Sequence, residues 1–167
     1  LRQIPLTREH RTLCAKEALK HCDENTICIV PIAGVTWTGL NDDIEELDKE
    51  LEEFNKRTGY DIPIHVDAAS GGFILPFVSP ETRCDFRLKN VISISTSGHK
   101  FGLVYPGLGW VIWRDKSYLP EEMSFSVNYL GAEVTQVGLN FSRPAAQVLG
   151  QYYNFIRLGR KGYEAIH

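Results

Sequence analysis

Two hydrophobic patterns alternate along the chain. Ile27-Cys28-Ile29-Val30-Pro31-Ile32 is a short continuous apolar run, which predicts a strand buried on both faces. The next elements follow a different period. From about Asp42 to Thr58 the apolar residues Ile44, Leu47, Leu51 and Phe54 recur at helical spacing and form one stripe. Glu45 and Lys49, Glu52 and Lys56, and Glu53 and Arg57 stand at i and i+4, acid first, which suits a solvated outer face. Asn41, Asp42 and Asp43 supply capping oxygens at the start, and Gly59 suits the end.

Ile62-Pro63-Ile64-His65-Val66-Asp67 then alternates as a second strand, with Asp67 at its carboxyl end. A third, Val91-Ile92-Ser93-Ile94-Ser95-Thr96, empties into Ser97-Gly98-His99-Lys100-Phe101-Gly102, and Trp110-Val111-Ile112-Trp113 makes a fourth. After a polar, irregular stretch a long helix is predicted from near Pro144, with Ala146, Leu149, Tyr153, Ile156 and Arg157 on one face. Strand, helix and strand in quick succession imply a right-handed crossover and a largely parallel sheet, an α/β fold. Ligands of such sheets collect beyond the carboxyl ends of the strands, where Thr36, Asp67 and Lys100 fall.

A length of 167 residues predicts a single domain with one core, and 43% hydrophobic and 23% charged residues are ordinary for a globular protein. A net charge of −3 gives no reason to expect nucleic acid or an anionic membrane as partner. The longest apolar stretch, Ile27 to Val35, contains Pro31 and Gly34 and falls well short of the ~20 residues that span a bilayer. Cys14, Cys22, Cys28 and Cys84 form no CxxC pair, and no histidines stand at zinc-ligand spacing from them. They read as reduced thiols of a cytoplasmic protein, and no metal is expected.

Lys100 leads the candidates for chemistry. A lysine after a buried strand, flanked by His99, Phe101 and two glycines, is expected to sit in a partly apolar pocket, where an amine becomes available toward a carbonyl. Asp67 is followed by Ala68-Ala69-Ser70-Gly71-Gly72, residues small enough for a flat ligand to lie against. A carboxylate there would favour a protonated pyridine nitrogen, the electron sink of pyridoxal phosphate (PLP) chemistry. Ser95, Thr96, Ser97 and His99 are possible phosphate donors. No G-x-G-x-x-G or Walker motif occurs, and Ser97-Gly98-His99-Lys100 matches S-x-x-K without that motif's companions.

Read together, His65-Val66-Asp67-Ala68-Ala69-Ser70-Gly71-Gly72-Phe73, Ser97-Gly98-His99-Lys100-Phe101-Gly102-Leu103 and Gly109-Trp110-Val111-Ile112-Trp113-Arg114 resemble successive blocks of the glutamate decarboxylase family. So do Asp23-Glu24-Asn25-Thr26-Ile27, Gly34-Val35-Thr36-Trp37-Thr38-Gly39 and Asn140-Phe141-Ser142-Arg143-Pro144. The resemblance covers essentially the whole chain and implies the large domain of a PLP-dependent enzyme of the aspartate-aminotransferase type. That domain has a mainly parallel sheet flanked by helices. Lys100 then matches the lysine that carries the cofactor, Asp67 the partner of the pyridine nitrogen, and Ala69 the small residue under the ring. Ser97 and His99 match phosphate ligands, and Thr36 a hydroxyl near the cofactor's 3′-oxygen and the substrate carboxylate. Ser142 matches a position reaching the phosphate from a neighbouring subunit, which implies a homo-oligomer with its site at the interface.

The implied reaction is PLP-dependent decarboxylation of L-glutamate to 4-aminobutyrate, with the residues that grip the distal carboxylate outside this stretch. Another PLP decarboxylase of the same fold is the nearest rival, and a non-catalytic fragment is a second. Leu1-Arg2-Gln3-Ile4-Pro5-Leu6 reads as a strand already under way. No initiator Met opens the chain, and no Gly or Pro closes it after Gly162-Tyr163-Glu164-Ala165-Ile166-His167. Residues 1–167 are therefore expected to be a fragment of a longer chain.

Overall fold

The structure, a computed structural model, describes residues 1–129, 131–136 and 143–167. Its centre is a sheet of β1 (Ile64–Asp67), β2 (Val91–Ser97) and β3 (Gly109–Trp113) in that order. β1 and β2 are parallel, with Val66 opposite Ile94 and Asp67 opposite Ser95. The apolar run before them lies along the free side of β1 and makes single parallel bridges, Ile29 to Ile64 and Ile32 to Asp67. It is thus a sheet neighbour rather than a full strand. β3 runs antiparallel to β2, pairing Ser95 with Val111 and Ser97 with Gly109. The connecting segment 98–108 carries no helix, and a parallel return needs a longer crossover.

α2 (Ile44–Thr58) forms as its stripe predicts. Asp43 caps it by accepting from Glu46 N at 2.9 Å, and Gly59 closes it in the left-handed region. Ile44, Leu47, Leu51 and Phe54 form one core with Ile29, Ile62, Ile64, Val66, Leu75 and Val91. α1 (Ala15–Lys20) and α3 (Leu75–Val78) add Ala15 and Leu75 to it. Of the three expected ion pairs on α2, only Glu52–Lys56 forms among the described residues, at 2.8 Å. Lys89 joins it at 3.0 Å, and Lys56 and Lys89 together pull the Glu52 carboxyl down to about 2. Glu45 turns to Arg83 instead, at 3.1 Å. Buried Asp48 accepts from Asn90 N at 2.7 Å and so fixes the entrance to β2.

The opposite face of the sheet is polar at its centre, carrying His65, Asp67, Ser93 and Ser95, with Val111 across from Ser95. Val30, Ile32 and Val111 are exposed.

Three expectations need correction. Residues 1–6 form no strand; Arg2 binds the Asp23 carboxylate and the His21 carbonyl, which ties that segment to the end of α1. The stretch read as irregular contains an antiparallel ribbon, β4 (Phe125–Tyr129) with β5 (Ala132–Gln136). The final helix, α4 (Ala146–Ile166), leaves the apolar residues Leu149, Tyr153 and Ile156 exposed and buries Gln151 and Tyr163. Among the described residues no helix is long and apolar enough to cross a membrane.

Candidate functional site

Two chain segments leave the carboxyl ends of the adjacent parallel strands and meet. The first begins at Asp67, the last residue of β1. Its Oδ1 accepts from Ala69 N at 3.0 Å, a turn that brings the small residues Ala68 to Gly72 back over the strand end. The other carboxylate oxygen makes no hydrogen bond among the described residues. Ala68 N donates to Ser95 O at 2.9 Å and Gly71 N to Ala33 O at 3.0 Å, so backbone bonds hold this turn on both sides.

The second segment leaves β2 at Ser97, whose N–H reaches Ala69 O at 3.2 Å and whose carbonyl accepts from Lys100 N at 3.3 Å. Lys100 therefore stands one tight turn beyond the strand. Its Nζ donates to Ser70 Oγ at 3.3 Å and links the two segments directly. The apolar pocket expected around this amine is not formed by the described residues. Lys100 is exposed, and Phe101 points partly into solvent at 41% exposure. His99 is also exposed, with Nδ1 3.3 Å from Leu108 O. When Nδ1 carries the proton and donates to that carbonyl, Nε2 is left for a ligand.

Thr36 is exposed in the turn that follows the bridged segment beside β1, at the same end of the sheet as Asp67. Ser142 lies outside the described residues. Asp67, Ala69, Ser97, His99 and Lys100 are thus gathered at two neighbouring strand ends, with Thr36 in the adjoining loop.

Two of the possible phosphate donors point away from the site or are already paired. Ser95 Oγ is 3.2 Å from His65 Nε2. Thr96 alternates to the other face, where it is 92% buried by its 8% exposure and its hydroxyl has no partner among the described residues. Sequence reasoning gave His65 no role of its own. It bridges Ser93 and Ser95, with Nδ1 2.7 Å from Ser93 Oγ. Burial pushes its pKa down, and the nearby Asp67 charge pulls it partly back. Sequence reasoning also missed Ser70 and Gln151: the Ser70 contact exists only once β1 and β2 are side by side, and the Gln151 contacts only once α4 packs on the turn after β2.

Comparison with known proteins bears on this arrangement. The description "Pyridoxal-dependent decarboxylase conserved domain" matches residues 1–167. The chain belongs to the pyridoxal-dependent decarboxylase family. It is 58% identical over 167 residues to a glutamate decarboxylase of Lactococcus lactis subsp. cremoris, covering all of this chain and 36% of that protein. The solved glutamate decarboxylase of Lactobacillus brevis superposes with a TM-score of 0.92 at 54% identity, covering 98% of this chain and 37% of that one. A sphingosine-1-phosphate lyase of Burkholderia pseudomallei is more distant, with a TM-score of 0.72 and 31% identity over 92% of this chain and 35% of its own.

The chain therefore spans little more than a third of the relatives it matches. Its fold is that of the type I PLP-dependent enzymes, and PLP is the cofactor of the family.

Proposed function

We propose that residues 1–167 are part of the PLP-binding large domain of a glutamate decarboxylase, which converts L-glutamate to 4-aminobutyrate and carbon dioxide. The observation that carries the reading is the meeting of Lys100 and Ser70 across two strand ends, Ser70 standing one residue beyond the Asp67–Ala69 turn. The donor set suits the group: an accessible amine, a carboxylate with one oxygen open among the described residues, and a run of small residues between them.

When bound, PLP supplies an electron sink for the pair released as the carboxylate leaves. Lys100 Nζ would hold the cofactor through its aldehyde and is the chain's candidate base and acid at the reacting carbon. Asp67 would hold the proton on the pyridine nitrogen, since a carboxylate beside that atom favours its charged form. Ala69 leaves one face of the site flat. Ser97 and His99 would donate to the phosphate, with Ser142 reaching it from a neighbouring subunit, and Thr36 would orient the substrate carboxylate.

Assembly as a homo-oligomer fits the exposed apolar residues Leu149, Tyr152, Tyr153 and Ile156 on α4, which need cover. A cytoplasmic location fits four cysteines that are all unpaired thiols.

The test is carbon dioxide release by the full-length protein from glutamate, aspartate and tyrosine. Release from glutamate in clear preference to the others supports the assignment. Release from one of the others with none from glutamate replaces it with a different decarboxylase.

A further inference from the structure

We infer that Gln151 and Tyr163 are positioning residues for Lys100, forming a buried brace from α4 that fixes the turn on which the lysine stands; this rests on the cofactor role of Lys100 proposed above.

The brace converges on one atom. The Gly102 carbonyl, two residues past Lys100, accepts from Gln151 Nε2 at 2.9 Å and from Tyr163 Oη at 3.0 Å, and Gln151 Nε2 also lies 3.0 Å from Tyr163 Oη. Asn154 adds a contact from Nδ2 to Leu103 O at 2.9 Å. Gln151 is 0% exposed and Tyr163 1%, so these bonds form out of reach of water. The turn they hold is otherwise weakly tied, with backbone bonds of 3.3 Å from Lys100 N to Ser97 O, Leu103 N to Lys100 O and Val104 N to Gly98 O.

The amide also shapes the turn sterically. A Cβ at Gly98 would meet Gln151 Oε1 at 2.7 Å, and one at Gly102 would meet it at 2.6 Å. The Gln151 head group thus fills the space under both glycines that flank Lys100, while the lysine itself is exposed and reaches Ser70. Its Oε1 has no hydrogen-bond partner among the described residues. An apolar side chain of the same volume would avoid that cost, so a buried amide here needs a reason. Holding the Gly102 carbonyl is such a reason.

Tyr163 reaches the site through a break in its own helix. In a straight helix Gln151 and Tyr163 would stand about 18 Å apart along the axis. Gly159, at φ 56° and ψ −168°, interrupts the helix in a region open essentially to glycine alone and turns its end back. The Tyr163 ring then stacks on Phe77 at 4.7 Å between centroids, beside Phe73 and Phe155, and Arg160 reaches Pro76 O at 3.1 Å. Phe73, Pro76 and Phe77 belong to the segment that follows Asp67. The same brace therefore joins the Lys100 turn to the Asp67 side of the site.

The experiment uses the full-length holoenzyme with Gln151→Met, which keeps volume and removes the donors, and Tyr163→Phe, which keeps the ring and removes the hydroxyl. The readouts are the PLP dissociation constant, the fraction of Lys100 trapped by borohydride, and the melting temperature of the PLP-free protein. Each substitution is expected to weaken PLP retention by roughly tenfold, the size of one lost buried hydrogen bond. The pair is expected to lose less than the product of the two, because both act on one carbonyl.

Asn154→Ala lies nearer the surface and covers the case in which Gln151→Met does not fold; retention is expected to fall about threefold. Unchanged retention and trapping, with only a lower melting temperature, would overturn the inference and leave these residues as packing. Absence of any Lys100 adduct in the unsubstituted protein is a separate result: it overturns the cofactor reading, and this inference with it.

Discussion

Lys100 Nζ donates to Ser70 Oγ across 3.3 Å, so the amine beyond β2 rests against the turn that closes β1. Parallel pairing of Asp67 with Ser95 makes this possible, since it ends β1 two residues short of the end of β2 and lets both turns emerge at the same end of the sheet. Every role assigned to the site depends on that alignment.

Asp67 is the partner whose removal should separate binding from chemistry. Asp67→Asn keeps the shape and the acceptor for Ala69 N but lacks the charge that favours a protonated pyridine nitrogen. The expected outcome in the full-length enzyme is a fall in kcat of roughly ten- to a hundredfold, as for a lost charge-assisted contact of up to ~3 kcal/mol. PLP retention should drop much less. Steady-state kinetics beside PLP titration checks this, and equal losses in both would place Asp67 in binding alone.

His65 makes stability depend on pH. Burial holds its pKa below the ordinary value of about 6.5, against the opposing pull of Asp67. The unfolded chain therefore takes up the proton first. Stability from the neutral ring is fully present above about 6.5 and is lost as pH falls through the lower folded value. His65→Asn should flatten this part of the profile. Urea midpoints of the full-length protein at pH 7.5 and pH 5.5 measure it, and identical slopes for parent and variant would exclude the effect.

Thr96 predicts the reverse of a usual core substitution. Its buried hydroxyl has no partner among the described residues, so Thr96→Val removes an unpaired polar atom at almost constant volume. Denaturant unfolding of the full-length protein should show stability unchanged or raised by up to about 1 kcal/mol. A loss of more than that would mean the hydroxyl is paired in the complete molecule.

Much of the scaffold was legible where one pattern had one explanation. The Ile44–Leu47–Leu51–Phe54 stripe, Asp43 before it and Gly59 after it mark α2 because burial, capping and termination agree there. α4 misleads because its regular stripe, Leu149, Tyr153 and Ile156, faces outward, whereas its inward side meets backbone carbonyls and so carries Gln151 and Asn154. Polar residues facing a carbonyl look like surface residues in a sequence. Asp67 and Lys100 stood out because strand ends are readable. Ser70 and Tyr163 did not, since the first matters only when β1 and β2 are paired in parallel and the second only after Gly159 bends its helix. The direction of β3 likewise depends on the length of segment 98–108 rather than on the strand's own residues.

The central claim is that Lys100 holds the cofactor. Its most direct test is to load the full-length protein with PLP, reduce with borohydride, and map the pyridoxyl adduct by peptide mass spectrometry. A single dominant adduct on Lys100, absent from Lys100→Ala, is the expected result. A dominant adduct on any other lysine, or labelling scattered over many, would contradict the account.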